Sequence, residues 1–161
     1  MTIKLINGNI LRSETQAIVI PVNIVGIAGA GLAKQWAIQH PTSADIYAHA
    51  CRARQLPIGK VLSVKDGSRA FVCLPTKTLP QYPSELKYIE KGLVALRQLI
   101  RSKEIKSLAV PALGCGLGGL SWADVQPLIE QYLGDLEIPV HVYFPKSIPS
   151  RRIVHAFGRL R

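Results

Sequence analysis

A chain of 161 residues with 48% hydrophobic content is long enough to bury the core of one globular domain and too apolar to be disordered. Twenty Lys and Arg against ten Asp and Glu give a formal charge of +10, which attracts polyanions, nucleic acid first; the alternative is a basic protein with scattered lysines. No apolar run approaches a membrane span, and Met1-Thr2-Ile3-Lys4 lacks a signal-peptide layout. Cys51, Cys73 and Cys115 are odd in number and share no C-x-x-C spacing, which excludes a disulfide framework and a structural zinc and predicts a reducing, cytoplasmic setting.

Branched residues over 3–6 and 17–22 predict two short buried strands, with Asn7-Gly8-Asn9 turning between them. A glycine-rich loop follows, Asn23-Ile24-Val25-Gly26-Ile27-Ala28-Gly29-Ala30-Gly31-Leu32. Residues 31–40 have helical composition and stop before Pro41, which disfavours helix in the residue preceding it. Ser43 is placed to cap a second helix running to about Arg54, closed by Pro57 and Gly59. Residues 60–64 and 70–74 predict a hairpin around Asp66-Gly67. The clearest helix covers 85–101, with Leu86, Ile89, Leu93, Leu96 and Ile100 as its apolar stripe. A buried strand over 107–113 runs into a second glycine-rich loop, Pro111-Ala112-Leu113-Gly114-Cys115-Gly116-Leu117-Gly118-Gly119-Leu120. Ser121 caps a helix over 122–133, and residues 138–144 form the last strand. The segment from Arg151 to Arg161 carries four arginines and is either a basic anchor or a ragged end.

Strands alternating with helices predict one α/β domain with a mostly parallel or mixed sheet, whose ligands bind at the carboxyl ends of the strands. Both glycine loops fall there. A strand, a loop without side chains and a helix start together make an anion site, because bare N–H groups point outward and the helix dipole adds positive charge. The alternative is two tight turns.

Other chemistries lack their residues. Gly114, Gly116 and Gly119 spell G-x-G-x-x-G, but the next strand ends Phe144-Pro145-Lys146 where a dinucleotide site needs an acid. No G-K-[ST] triplet occurs, and the four histidines have no ligand spacing. Cys115 has no obvious partner base and reads as a small residue in a crowded loop rather than a nucleophile. No acid lies in either glycine loop or over 74–83, so paired-carboxylate catalysis there is excluded. Lys77 and, at the start of the first helix, Lys34 remain near strand ends; Lys77, in Phe71-Val72-Cys73-Leu74-Pro75-Thr76-Lys77, follows a buried strand, so its amine is either a partly desolvated nucleophile or an ordinary loop lysine.

Gly8-Asn9-Ile10, residues 17–23, Val25-Gly26-Ile27-Ala28-Gly29-Ala30-Gly31 and residues 111–122 resemble, in order, the macrodomain family of ADP-ribose-binding proteins. The match covers essentially the whole chain and implies a single macrodomain over 1–161, a three-layer α/β/α fold with a central mixed, mostly parallel sheet. Residues 71–77, 84–93 and 111–122 are most similar to the DNA ADP-ribosyl glycohydrolase antitoxins (DarG type), whose human relatives remove ADP-ribose from glutamate. The resemblance implies that Asn9, with Ile10 beside it, holds the adenine and that Asn23 contacts the distal ribose. It implies that Gly29, Ala30, Gly31 and Leu32, with Gly114, Cys115, Gly116, Leu117 and Gly118, cradle the two phosphates through backbone N–H groups. Thr76 joins the binding residues, and Lys77 after the Pro75-Thr76 pair is implied to be catalytic at the anomeric carbon. Gly118 stands where the human relatives carry Asp, which leaves the acid–base partner of Lys77 unassigned.

The implied function is binding of ADP-ribose and hydrolysis of an ADP-ribosyl linkage on a DNA base, without metal or cofactor and without a membrane. A cognate ADP-ribosyltransferase toxin is the implied partner. DarG proteins carry a further C-terminal domain that binds the toxin, so this chain reads as a free-standing or a truncated macrodomain. The alternatives are an ADP-ribose 1''-phosphate phosphatase, an O-acetyl-ADP-ribose deacetylase and a non-catalytic ADP-ribose reader. The glycine loops serve all of them. Lys77 favours the hydrolase over the reader, and the +10 charge favours nucleic acid over a metabolite.

Overall fold

The computed structural model describes residues 3–145. Its strands are β1 (Ile3–Ile6), β2 (Ala17–Asn23), β3 (Leu62–Asp66), β4 (Arg69–Lys77), β5 (Leu108–Pro111) and β6 (Val140–Tyr143). Its helices are α1 (Gly31–Gln39), α2 (Pro41–Arg52), α3 (Leu86–Ser102) and α4 (Trp122–Leu133), with a 3-10 turn over Ile10–Arg12. They build one six-stranded sheet in the order β1-β6-β5-β2-β4-β3. Every neighbouring pair is parallel except β3 with β4, the predicted hairpin around Asp66-Gly67.

Helices cover both faces of the sheet because consecutive strand residues point to opposite sides. From β2 and β4, Ala17, Val19, Val72 and Leu74 pack with Ile89, Leu93 and Leu96 of α3 and with Val125 and Ile129 of α4. Their sequence neighbours Ile18, Ile20, Phe71 and Cys73 pack on the other side with Trp36 of α1 and Tyr47 of α2. The apolar stripe predicted for the long helix holds except at its first member: Ile89, Leu93, Leu96 and Ile100 are buried, whereas Leu86 is 37% exposed. The result is a three-layer α/β/α fold.

Several boundaries move. Ser43 does not cap the second helix. Pro41 takes its first position, where a fixed φ and a missing N–H fit, so Ser43 falls inside the helix and is buried. β4 runs on to Lys77, three residues past the predicted end, because β2 pairs with it as far as Asn23. β3 begins at Leu62 rather than 60, its register set by pairing with β4. The arginine-rich segment 151–161 lies outside the described residues.

Gly92 fixes how closely α3 approaches the sheet. A β-carbon there would come 2.6 Å from Cδ2 of Leu74, which is fully buried and has no room to retreat. In an exposed helix Ala would be better than Gly. Here Gly92→Ala is expected to destabilise the domain by about 1–3 kcal/mol through overpacking, as read by denaturant unfolding.

Candidate active site

A cleft of about 800 Å³ opens along the carboxyl ends of β2, β4, β5 and β6. Cavities that hold small-molecule ligands and cofactors span roughly 300–1,000 Å³, so this one has room for a nucleotide with a second sugar. Parallel pairing is what brings these four strand ends to one edge, and the adjacency of β2 and β5 brings the two glycine loops together.

The first loop ends in the N-terminus of α1. Its N-cap is Ala30, which has no side chain able to take a backbone N–H, and no acid lies in the first turn. The N–H groups of Gly31, Leu32 and Ala33, all lining residues, are therefore left to whatever enters the cleft. The second loop differs from the first at its helix start. The start of α4 is satisfied internally, with Ser121 Oγ accepting from Ala123 N at 3.2 Å and Asp124 in the first turn. The loop's own backbone supplies the donors instead. Cys115, Gly119 and Leu120 use their N–H groups within the loop, and Gly116, Leu117 and Gly118 between them have no such bond among the described residues. Gly114, at φ +73°, opens the turn in the left-handed region that favours glycine.

Lys77 is the last residue of β4. A register shift between Val22 and Asn23 leaves Thr76 as the extra residue and sets Lys77 opposite Asn23. Such a bulge re-aims side chains at a strand end. Lys77 is half-buried, and its Nζ donates to the Pro80 carbonyl at 3.1 Å. It is the only lysine or arginine lining the cleft among the described residues, and no Asp, Glu or His lines it.

Asn23 is built into the first loop. Its Oδ1 accepts from Val25 N (3.1 Å), Ile27 N (3.3 Å) and the Tyr47 hydroxyl (2.9 Å). Its Nδ2 donates to Ile27 O at 2.8 Å, which leaves one Nδ2 hydrogen for a ligand. Tyr47, from α2, is the support that sequence reading missed; nothing local connects it to a residue 24 positions earlier. Burial of its hydroxyl, first, and the neighbouring Cys51 raise its pKa, so it stays a donor.

The cleft gathers Lys77, Asn23, Gly29, Ala30, Gly31, Leu32, Thr76, Gly114, Cys115, Gly116, Leu117 and Gly118. Asn9 and Ile10 are not in its lining, although Gly8 is. Asn9 caps the 3-10 turn by accepting from Leu11 N at 3.0 Å, and Ile10 is a core residue. Pro80, Ser84, Tyr143 and Phe144 line the cleft without having been predicted; they are brought there by the turn after β4 and by the end of β6. Among the tyrosines that follow Lys77 in the chain, Tyr82 is exposed on the turn after β4, and the Tyr88 hydroxyl donates to Glu85. That bond, with Lys87 at 3.2 Å, holds the Glu85 carboxyl below its usual range.

Cys115 is no activated thiol. Burial, first, and the charge of Asp124 push its pKa up to about 12, and its Sγ lies 3.6 Å from the Leu113 carbonyl, to which it donates. Since the thiolate is the reactive form, Cys115 is expected to alkylate with iodoacetamide at pH 8 about a hundred-fold or more slower than free cysteine. Mass spectrometry of the time course checks this, and Cys115→Ala is expected to keep its activity.

The Macro domain family model matches residues 19–129. A DNA ADP-ribosyl transferase–DNA ADP-ribosyl glycohydrolase fusion protein of Thermosipho africanus is 38% identical, over 96% of this chain and 45% of the relative. The DNA ADP-ribosyl glycohydrolase of Mycobacterium tuberculosis is 38% identical, over 91% of this chain and 43% of its own length. The chain thus spans less than half the length of these relatives. Among solved structures, the macrodomain of Mycobacterium tuberculosis DarG superposes with a TM-score of 0.85 at 37% identity, covering 89% of this chain and 98% of that one. Thermosipho africanus DarTG in complex with ADP-ribose gives a TM-score of 0.89 at 38% identity, over 94% of this chain and 44% of that one. With a family model matched over most of its length and these relatives in sequence and structure, the chain belongs to the Macro domain family.

Proposed function

We propose that this chain binds ADP-ribose in the cleft and hydrolyses the bond between ADP-ribose and a DNA base. The observation that carries the reading is the pairing of two unfilled rows of N–H groups, 31–33 and 116–118, with a single amine, Lys77, opposite Asn23. Two rows suit a diphosphate, because a backbone N–H donates to an anion without a mobile counter-charge. The similarity to proteins named DNA ADP-ribosyl glycohydrolases supports the acceptor.

In the reaction proposed, the free amine of Lys77 forms a bond to the anomeric carbon while the bond to the base breaks. The electron pair of that bond leaves with the base, and the proton released from the amine goes to it. Water then cleaves the lysine adduct, restoring the amine and releasing ADP-ribose. Among the described residues no carboxylate in the cleft competes for either proton. The counterpart enzyme is an ADP-ribosyltransferase acting on DNA, as in the Thermosipho relative whose name joins both activities. A cytoplasmic site of action is part of this proposal; no helix of the described residues is long and apolar enough to cross a membrane.

ADP-ribosylated single-stranded DNA, ADP-ribosylated protein and ADP-ribose 1''-phosphate, assayed side by side, test the acceptor. DNA is expected to be cleaved, with binding that weakens as salt rises by a log–log slope of about −0.7 per phosphate contacted. Free ADP-ribose, held mainly by backbone groups, is expected to respond far less. Cleavage of the protein or the 1''-phosphate with DNA left intact would reject the DNA reading.

A further inference from the structure

Ser84 immediately precedes the N-cap of α3 and is 5% exposed, yet its Oγ has no hydrogen-bond partner among the described residues. A buried hydroxyl without a partner costs more than a satisfied one, so the position demands an explanation. Its backbone is pinned: Ser84 N donates to the Gly118 carbonyl at 3.0 Å, which ties the start of α3 to the second loop. The side chain sits against two of that loop's glycines, Gly114 and Gly118. A β-carbon at Gly114 would lie 3.2 Å from Ser84 Cβ, and one at Gly118 would collide with Ser84 Oγ. Residue 118 is bare where Ser84 reaches in, and both line the cleft with Thr76, Lys77 and Pro80.

We infer that Ser84 is a specificity-determining residue of this cleft, its hydroxyl hydrogen-bonding the distal ribose of bound ADP-ribose beside Lys77. This rests on the ADP-ribose reading above and goes beyond it by naming a protein group for the second sugar. The chemistry selects the sugar over the phosphates. Phosphate oxygens only accept, and two rows of N–H groups already face them. A hydroxyl both donates and accepts, which matches another hydroxyl. Asn23 offers a single Nδ2 hydrogen and no acceptor, so Ser84 supplies what Asn23 lacks.

Calorimetric titration with ADP-ribose and with ADP, which lacks the distal ribose, separates this role from a structural one. Ser84→Ala is expected to lower affinity for ADP-ribose about ten-fold, the upper range for one neutral hydrogen bond, and to leave ADP within about two-fold. Ser84→Cys keeps the site filled, with a somewhat larger atom and a far weaker donor, and is expected to lose the same discrimination, which covers the case in which the alanine variant loosens the loop. Equal weakening of both nucleotides, or unchanged affinity for both, in the cysteine variant overturns the inference and leaves the ADP-ribose reading standing. Wild-type protein that binds neither nucleotide overturns that reading and the inference with it.

Discussion

Lys77→Ala is expected to lower turnover of an ADP-ribosylated substrate by about two to four decades while changing ADP-ribose affinity only a few-fold. The asymmetry follows from the site. In the proposed site ground-state binding rests on backbone donors in the two loops, which the substitution does not touch, whereas Lys77 is the sole lysine or arginine lining the cleft among the described residues. A group that acts only as the bond breaks raises kcat without tightening the substrate complex. The fold is expected to survive, because the one bond lost, from Nζ to the Pro80 carbonyl, lies at the exposed end of β4. Lys77→Arg divides attack from charge: a guanidinium keeps the positive charge but has no nucleophilic amine. Single-turnover kinetics beside calorimetry give both numbers. An arginine variant near wild-type rate would assign Lys77 to charge stabilisation, and an unchanged alanine variant would remove it from the chemistry.

Gly116→Glu is expected to abolish ADP-ribose binding, a loss of at least about a hundred-fold, with an unchanged unfolding temperature. A β-carbon at Gly116 meets nothing within 4 Å, so the fold has room for a side chain and only the ligand does not. The added carboxylate would stand at the head of the 116–118 row, where a phosphate is proposed, and repel it. Gly29→Glu makes the same test from the other loop, since its β-carbon would make only an ordinary contact with Ile27 at 3.5 Å. Gly114→Glu would be uninformative by contrast. Its positive φ and a 2.7 Å approach to Leu120 mean that a side chain there distorts the loop itself. Retained binding in both the Gly116 and Gly29 variants would mean that the loops are turns and nothing more.

Much of this architecture was legible in the chain because it depends on near neighbours. Periods of two and of 3.6, a proline ending the helix before it and glycines after an apolar run are local signals, and they placed all six strands and four helices within a few residues. The misplaced cap at Ser43 was local too, a competition with Pro41 that proline won by its fixed φ. The resemblance placed the glycine loops and Lys77, and the structure gathers them in one cleft. Which N–H groups at the second loop stay open was less legible, because it depends on where the Ser121 side chain turns, and its Oγ turns to the N–H of Ala123.

By itself, then, the sequence determined the elements, the two loops without side chains and the absence of acids beside them; that Lys77 and not Lys34 lines the cleft was left to the structure. Only the tertiary structure decided that β5 lies beside β2, that a one-residue shift sets Lys77 across from Asn23, that Tyr47 braces Asn23, and that Ser84 fills the space over Gly118. Strand order and register are chosen by the packing of both sheet faces at once. A slip of one residue would turn Ile18 and Ile20 from the α1–α2 side to the other, and no stretch of a dozen residues contains that constraint.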